Sequence, residues 1–186
     1  LGDGTSSTRL SPVQIGSSSW TVVTAGLSHT AAIRSNGTLF TWGINSSGQL
    51  GDGTGGFGTK KSSPVQIGSS SWTAVAACPQ SVHTAAIRSG GTLFTWGSNS
   101  AGRLGDGTTT TRSSPVQIGS SSWTAVSAGG NHSAAIRSGG TLFTWGYNGS
   151  GRLGDGTTTS RSSPVQIGSS SWTAVRAGDA HTVGIS

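Results

Sequence analysis

The strongest constraint on this chain is that it repeats itself. Trp20, Trp72, Trp123 and Trp172 recur at intervals of 52, 51 and 49 residues, and His29, His83, His132 and His181 at intervals of 54, 49 and 49. A period of about 50 residues belongs to propeller blades and solenoid units, in which one repeat cannot bury its own faces and its neighbours complete the core. Each unit holds four short runs bounded by Gly, Ser, Asn or Pro. In the third unit they are "WTAVSA" (Trp123–Ala128), "HSAAIR" (His132–Arg137), "TLFTWG" (Thr141–Gly146) and "SPVQI" (Ser163–Ile167), here termed a, b, c and d. Run c alternates as a strand does, with Leu142 and Thr144 on one face and Phe143 and Trp145 on the other. Pro164 predicts that d is an outer, edge strand opening on its proline. The short Gly-rich connections from a to b and from b to c make these runs antiparallel neighbours.

The fold class expected is all-β: a β-propeller of four-stranded antiparallel blades, about 50 residues per repeat. Gly, Pro and β-branched content excludes a helical repeat, and the rungs of a parallel β-helix are shorter than this period. The chain reads as a single repeat domain, 1–186, with repeats at 1–19 (partial), 20–71, 72–122, 123–171 and 172–186 (partial). Runs a and b occur four times but c only three, and the first d run, Ser11–Ile15, precedes any a. The expectation is three full blades plus a split or incomplete fourth, within a larger ring or finished by a partner, because unpaired strand edges invite pairing. Self-association through those open edges is one way to finish it.

Composition narrows the function classes. Of 186 residues only 9% are charged, there is no Glu or Met, and Gly contributes 32. Seven Trp and four Phe provide the apolar area that a disordered Gly/Ser-rich chain lacks. The net charge of +6, from 11 Lys and Arg against 5 Asp, reflects missing acids more than abundant bases. Lys60–Lys61 is the only adjacent basic pair, so no nucleic-acid partner is expected. A single cysteine, Cys78, excludes an internal disulfide, and no run of about 18 apolar residues forms a membrane-spanning helix. The start at Leu1, in mid-motif, reads as a processed product or a segment of something longer.

Comparison of the four internal copies separates constant from variable positions. The d–a connection "IGSSSWT" is identical in all four, and the b–c connection differs only at Asn36. Variation gathers in the a–b connections, such as "CPQSV" (Cys78–Val82) against "GGN" (Gly129–Asn131), and in the c–d connections, where "TGGFGTKKS" (Thr54–Ser62) stands against "TTTTRS" (Thr108–Ser113). In an up-and-down blade these two turns emerge on the same side, and loops on a rigid scaffold are where binding residues are placed. Phe57, Lys60, Lys61, Arg103, Tyr147 and Arg152 are the expected binding residues, because aromatics and Arg carry contact energy.

Catalytic and metal chemistry finds no constellation. One His per repeat occupies one slot in each blade, and the reading is structural, with each imidazole bonded to backbone groups of its own turn. Asp3, Asp52, Asp106 and Asp155, each in "GDGT", read as turn residues whose carboxylates cap nearby N–H groups. One Asp per loop falls short of a calcium site. "GTGGFGTKK" (Gly53–Lys61) has the wrong order for a phosphate-binding loop and no helix behind it. No catalytic residues, metal or cofactor are expected, and the repeated Trp read as core and inter-blade packing.

The run "HSAAIRSGGTLFTWGYNGSGRLGDGT" (His132–Thr157), its near copies at His29 and His83, and the preceding "SAGGNH" resemble the repeat of the regulator of chromosome condensation family over essentially the whole chain. The resemblance implies a seven-bladed propeller, a number from which this chain departs. It also implies the family's activities: nucleotide exchange on a small GTPase, nucleosome binding or, in secreted bacterial relatives, inhibition of β-lactamase. The residue composition itself suggests a non-enzymatic binding or structural protein, extracellular, at a cell surface or on a virion as a fibre or decoration, with a protein, glycan or cell-surface ligand as partner. The alternative is a protein–protein regulator of the resembled family.

Overall fold

A computed structural model describes residues 1–186, and these build three four-stranded antiparallel sheets and one of two strands. The first blade is β1 (Trp20–Ala25), β2 (His29–Arg34), β3 (Leu39–Gly43) and β4 (Lys61–Gln66). The second is β5 (Trp72–Ala76), β6 (His83–Arg88), β7 (Leu93–Gly97) and β8 (Arg112–Gln117), and the third is β9 (Trp123–Ala128), β10 (His132–Arg137), β11 (Leu142–Gly146) and β12 (Arg161–Gln166). The partial fourth holds only β13 (Ala174–Ala177) and β14 (Thr182–Ile185). Within each sheet the strands follow chain order. Strands β1, β5, β9 and β13 adjoin in succession, which sets run a at the hub and run d at the rim.

Two local expectations change. Run d begins two residues earlier than read, at Arg161 in the third blade, and Pro164 lies inside the strand. The β11–β12 register shifts between Thr144 and Gly146, and that irregularity, on an edge strand, accommodates a residue without an N–H. The first d run, Ser11–Ile15, forms no strand at all. Leu10 and Val13 are exposed there.

Burial follows from stacking rather than from a wet and a dry face. In β7 and β11 every residue is buried, although the side chains alternate as expected. Each sheet is sandwiched, so both faces pack. Ile33 and Leu39 of the first blade meet Trp72, Phe94 and Trp96 of the second, and Ile87 and Leu93 of the second meet Trp123, Phe143 and Trp145 of the third. Within each blade the aromatics meet edge to face: Trp72–Phe94 and Trp123–Phe143 centroids are 5.6 Å apart. Such pairs add about 0.5–1.5 kcal/mol beyond the area they bury.

The histidines hold the blades together, and they do so across blades rather than within their own turns. His29 Nε2 lies 2.9 Å from Thr84 Oγ1 of the next blade, and that hydroxyl donates to the Gln49 carbonyl at 2.9 Å. With its proton committed, the hydroxyl can only accept from the ring, so Nε2 carries the hydrogen. The Gln49 carbonyl also accepts the Trp96 indole N–H at 3.0 Å. The joint recurs: His83 reaches Ser133, Ser133 donates to the Arg103 carbonyl, and Trp145 donates to the same oxygen. His132 reaches Thr182, which donates to the Arg152 carbonyl. At Gln49 and Arg103 a hydroxyl and an indole thus converge on one carbonyl oxygen, with an imidazole holding the hydroxyl, in a buried interior where each unmade bond is costly.

The joint demands glycine beside its indole. An ideal Cβ at Gly105, whose φ is +79°, would lie 2.6 Å from Trp145 Nε1, whereas at Gly107, with φ +80°, the nearest atom is 3.7 Å away. The two positions share the same left-handed strain and differ only in the indole. Gly107→Ala is expected to cost the strain alone, about 1–2 kcal/mol, and Gly105→Ala a further 1–3 kcal/mol or so from overpacking. Equal losses for the two variants in urea denaturation would show that the indole contact contributes nothing.

Burial draws His29 and His132 down from 6.5 to about 4, and His83 well below its ordinary value. The folded state therefore resists protons that the unfolded chain accepts, so this stability is complete above pH 6.5 and drains away as pH falls from 6.5 toward 4. Asp3 and Asp155, each held at about 2, titrate below that window. The melting temperature, followed by Trp fluorescence, is expected to be level above pH 6.5 and to fall between 6.5 and 4. A level profile through that window would remove the neutral-imidazole account of the joint.

Candidate functional site

The a–b and c–d connections emerge together, as the alternation of strands requires. Each c–d loop is built on an asparagine. Asn45 Oδ1 accepts the Leu50 N–H at 3.0 Å, while its Nδ2 donates to Asp52 Oδ1 and to the Thr54 carbonyl, each at 3.1 Å. Asn99 and Asn148 make the same set in the next two blades. Sequence reasoning passed over these residues, yet the signal was present: each stands seven positions before its loop aspartate.

The aspartates cap as expected, with Thr5, Thr54, Thr108 and Thr157 N–H groups each 3.0 Å from the carboxylate. They also form ion pairs with the base that opens or precedes the rim strand: Asp3–Arg9 at 2.7 Å, Asp52–Lys61 at 3.5 Å, Asp106–Arg112 at 2.8 Å and Asp155–Arg161 at 3.0 Å. The Arg9 hydrogen bond holds Asp3 at about 2. At Asp155 desolvation acts upward, but bonds from Thr157 and Arg161 overcome it and leave the carboxyl at about 2.

The six expected binding residues divide. Phe57 stands fully exposed at the tip of the inserted loop, with Lys60 exposed beside it. Lys61 opens β4 and pairs with Asp52, taking the structural place that Arg112 and Arg161 hold elsewhere. Arg103 is a correction: it is 6% exposed, and burial lowers its pKa. Its Nη1 donates to the Gly130 carbonyl at 3.2 Å, and its Nε and Nη2 turn back to Ser100. Short neighbouring loops close over the guanidinium, and the side chain serves as a tie between the second and third blades.

Tyr147 and Arg152 are brought together. The guanidinium sits 4.8 Å from the phenol ring centroid, and Nη1 donates to the Asp179 carbonyl at 2.9 Å, while Tyr147 remains 42% exposed. Phe57 and Lys60 lie in the first blade and Tyr147 and Arg152 in the third, so the loop face carries two separate contact groups. The a–b loops brace one another, Leu27 N–H to the Ser81 carbonyl at 3.0 Å and Gly130 N–H to the Gly178 carbonyl at 3.2 Å. The two-residue insertion at Cys78–Val82 also provides Ser81, whose hydroxyl donates to His83 Nδ1.

The opposite face is constant for a mechanical reason. The two central "GSSSW" loops are clamped between b–c turns of successive blades: the Ser71 carbonyl accepts Ser89 N–H at 2.9 Å, and Trp72 N–H donates to the Gly37 carbonyl at 2.8 Å. A Cβ at Gly37 would fall 2.3 Å from Ser71 Oγ. Beside these turns Arg34, Arg88 and Arg137 lie over Phe40, Phe94 and Phe143, at 4.0, 4.0 and 3.9 Å from the ring centroids, holding charge against aromatic faces. The loop face offers exposed aromatic and cationic groups on braced turns, an arrangement suited to contact rather than to bond making.

Comparison with known proteins agrees with this architecture. The sequence pattern described as the Regulator of chromosome condensation (RCC1) repeat matches residues 36–87, 90–136 and 139–185. Human probable E3 ubiquitin-protein ligase HERC3 is 35% identical over 97 residues, 52% of this chain and 9% of that protein. The X-linked retinitis pigmentosa GTPase regulator homolog of Caenorhabditis elegans is 41% identical over 83 residues, 45% of this chain and 6% of the relative. Among solved structures, Prp20p from Saccharomyces cerevisiae superposes with a TM-score of 0.79 at 19% identity, over 89% of this chain and 43% of Prp20p. The chain thus spans less than half of that propeller and a small part of the curated relatives. With three matched repeats, each running from the c and d strands of one blade through the a and b strands of the next, the chain belongs to the regulator of chromosome condensation (RCC1) repeat family.

Proposed function

We propose that the protein is a non-enzymatic protein-binding module, acting as a protein–protein regulator through the face that carries its a–b and c–d loops. The observation behind this reading is the contrast between the two faces. One is locked by loop-to-turn hydrogen bonds and repeats with a single change, at Asn36, while the other holds every insertion and presents Phe57, Lys60, Tyr147 and Arg152. Prp20p, whose fold it shares, is described with binding properties to Gsp1p and histones, which makes protein surfaces the first class of partner to test. The surface or virion location and the glycan ligand suggested by composition draw no support from these relatives.

A photoreactive phenylalanine analogue introduced at position 57 or 147 on the loop face, or at Ser138 on the constant face, separates the readings in the cells that make the protein. Cross-links to protein partners are expected from 57 and 147 and to be several-fold weaker from 138. Equal yields from both faces, or none from the loop face, would end the proposal.

A further inference from the structure

The tryptophans fall into two sets. Trp42, Trp96 and Trp145 donate their indole N–H groups to the carbonyls of Leu1, Gln49 and Arg103. Trp72 and Trp123, which open β5 and β9, are each 2% exposed, yet the Nε1 of neither donates to any protein group. Their counterpart Trp20 reaches the Ile15 carbonyl, at 3.3 Å. A buried N–H without an acceptor is costly, and here it recurs in two complete blades. A second orphan accompanies each one: the buried Nε of Arg88 beside Trp72 and that of Arg137 beside Trp123. The four ion pairs of the chain employ Arg9, Lys61, Arg112 and Arg161, so neither of these guanidinium groups has a carboxylate partner. Arg137 stands over Phe143 at 3.9 Å and over Trp123 at 4.9 Å, and rings against its plane leave its edge for hydrogen bonding. Trp123 and Arg137 line one cavity of about 320 Å³ between the second and third blades, together with Asp106, Gln117, Ile118 and Pro164. Both blades that form this wall have all four strands.

We propose that this groove between blades is a binding site for a small organic monocarboxylate. The edge of the Arg137 guanidinium presents parallel N–H donors that match the two oxygens of a carboxylate, and the Trp123 N–H supplies a further donor. One negative charge is what the wall can balance. Asp106 lines the same cavity, but its charge is already matched by Arg112 at 2.8 Å, and Arg137 is the one cation in the wall. A doubly charged phosphate or sulfate would face Asp106 with one charge unmatched. Ile118, Pro164 and Trp123 give the carbon body of the ligand an apolar surface, and a cavity of this volume lies at the small end of ligand sites. The groove between the first and second blades repeats the donor pair as Arg88 and Trp72, with Ile67 and Pro115 at the positions of Ile118 and Pro164, so the chain carries the site twice. Neither site needs a protein partner, and both stand apart from the loop-face reading.

Nitrogen-15 NMR of the 186-residue chain at neutral pH tests this, with sodium propionate replacing sodium chloride at constant ionic strength. The expected result is a saturable shift of the Trp72 and Trp123 indole N–H signals, while those of Trp96 and Trp145, already bonded to carbonyls, stay in place. Propionamide, which has the shape without the charge, and inorganic phosphate should each bind about tenfold more weakly or worse. Arg137→Gln should abolish the Trp123 response and keep that of Trp72, whose intact shift also reports that the variant is folded. No saturable shift in the unaltered chain, equal shifts of all four indoles, or a response to propionamide or phosphate as strong as that to propionate would overturn the proposal. So would a folded Arg137→Gln chain that still responds at Trp123. Should that variant not fold, the series of titrants on the unaltered chain decides by itself.

Discussion

One carbonyl oxygen per joint organises this structure. At Gln49 and again at Arg103, a hydroxyl from the next blade and an indole from the next blade converge on the same oxygen, while an imidazole from the first blade secures the hydroxyl. Four groups from two sheets are thereby fixed relative to one another without water. The apolar layers on either side then have a defined separation, which close packing needs before it can be specific. Strand pairing makes each blade, but the relation between blades is set here.

The joint also explains how variation is distributed. Its carbonyl belongs to the c–d loop, so that loop has a fixed part and a free part. Asn45, Gly48, Leu50, Gly51 and Asp52 recur in the next two blades, as does the Gly-Thr that follows; between Thr54 and the rim strand the copies diverge, and Gly55, Gly56, Phe57 and Gly58 occupy that interval in the first blade. The d–a loops have no such interval, because each is held by a neighbouring b–c turn and the two central ones by turns on both sides. A surface that tolerates change and one that does not are therefore both consequences of where hydrogen bonds go.

Period, strand count and antiparallel order were legible in the sequence because they depend on spacing, and spacing survives any detail of packing. The arrangement of loops on one face followed from strand alternation. What sequence did not disclose were relations between blades. Each His was read within its own turn, since nothing local announces that its partner is a hydroxyl some 50 positions away. Arg103 was read as an exposed contact for the same reason: a loop arginine is usually solvated, and only the neighbouring blade's Gly130 carbonyl buries it. Lys61 lost its apparent freedom to Asp52, a pairing whose spacing of six elsewhere is stretched to nine here by the insertion.

Because every joint uses the same few residues, no blade is addressed to a particular neighbour. His, hydroxyl, Trp and Gly on one unit fit the loop of any other, and "LFTWG" is identical in all three c strands. At the level of the gene, unequal recombination between repeats that adds or removes one whole unit therefore leaves all junction chemistry intact. The length of such a protein is set by history and by ring curvature, while its individuality is confined to the few loop residues that the joints do not use.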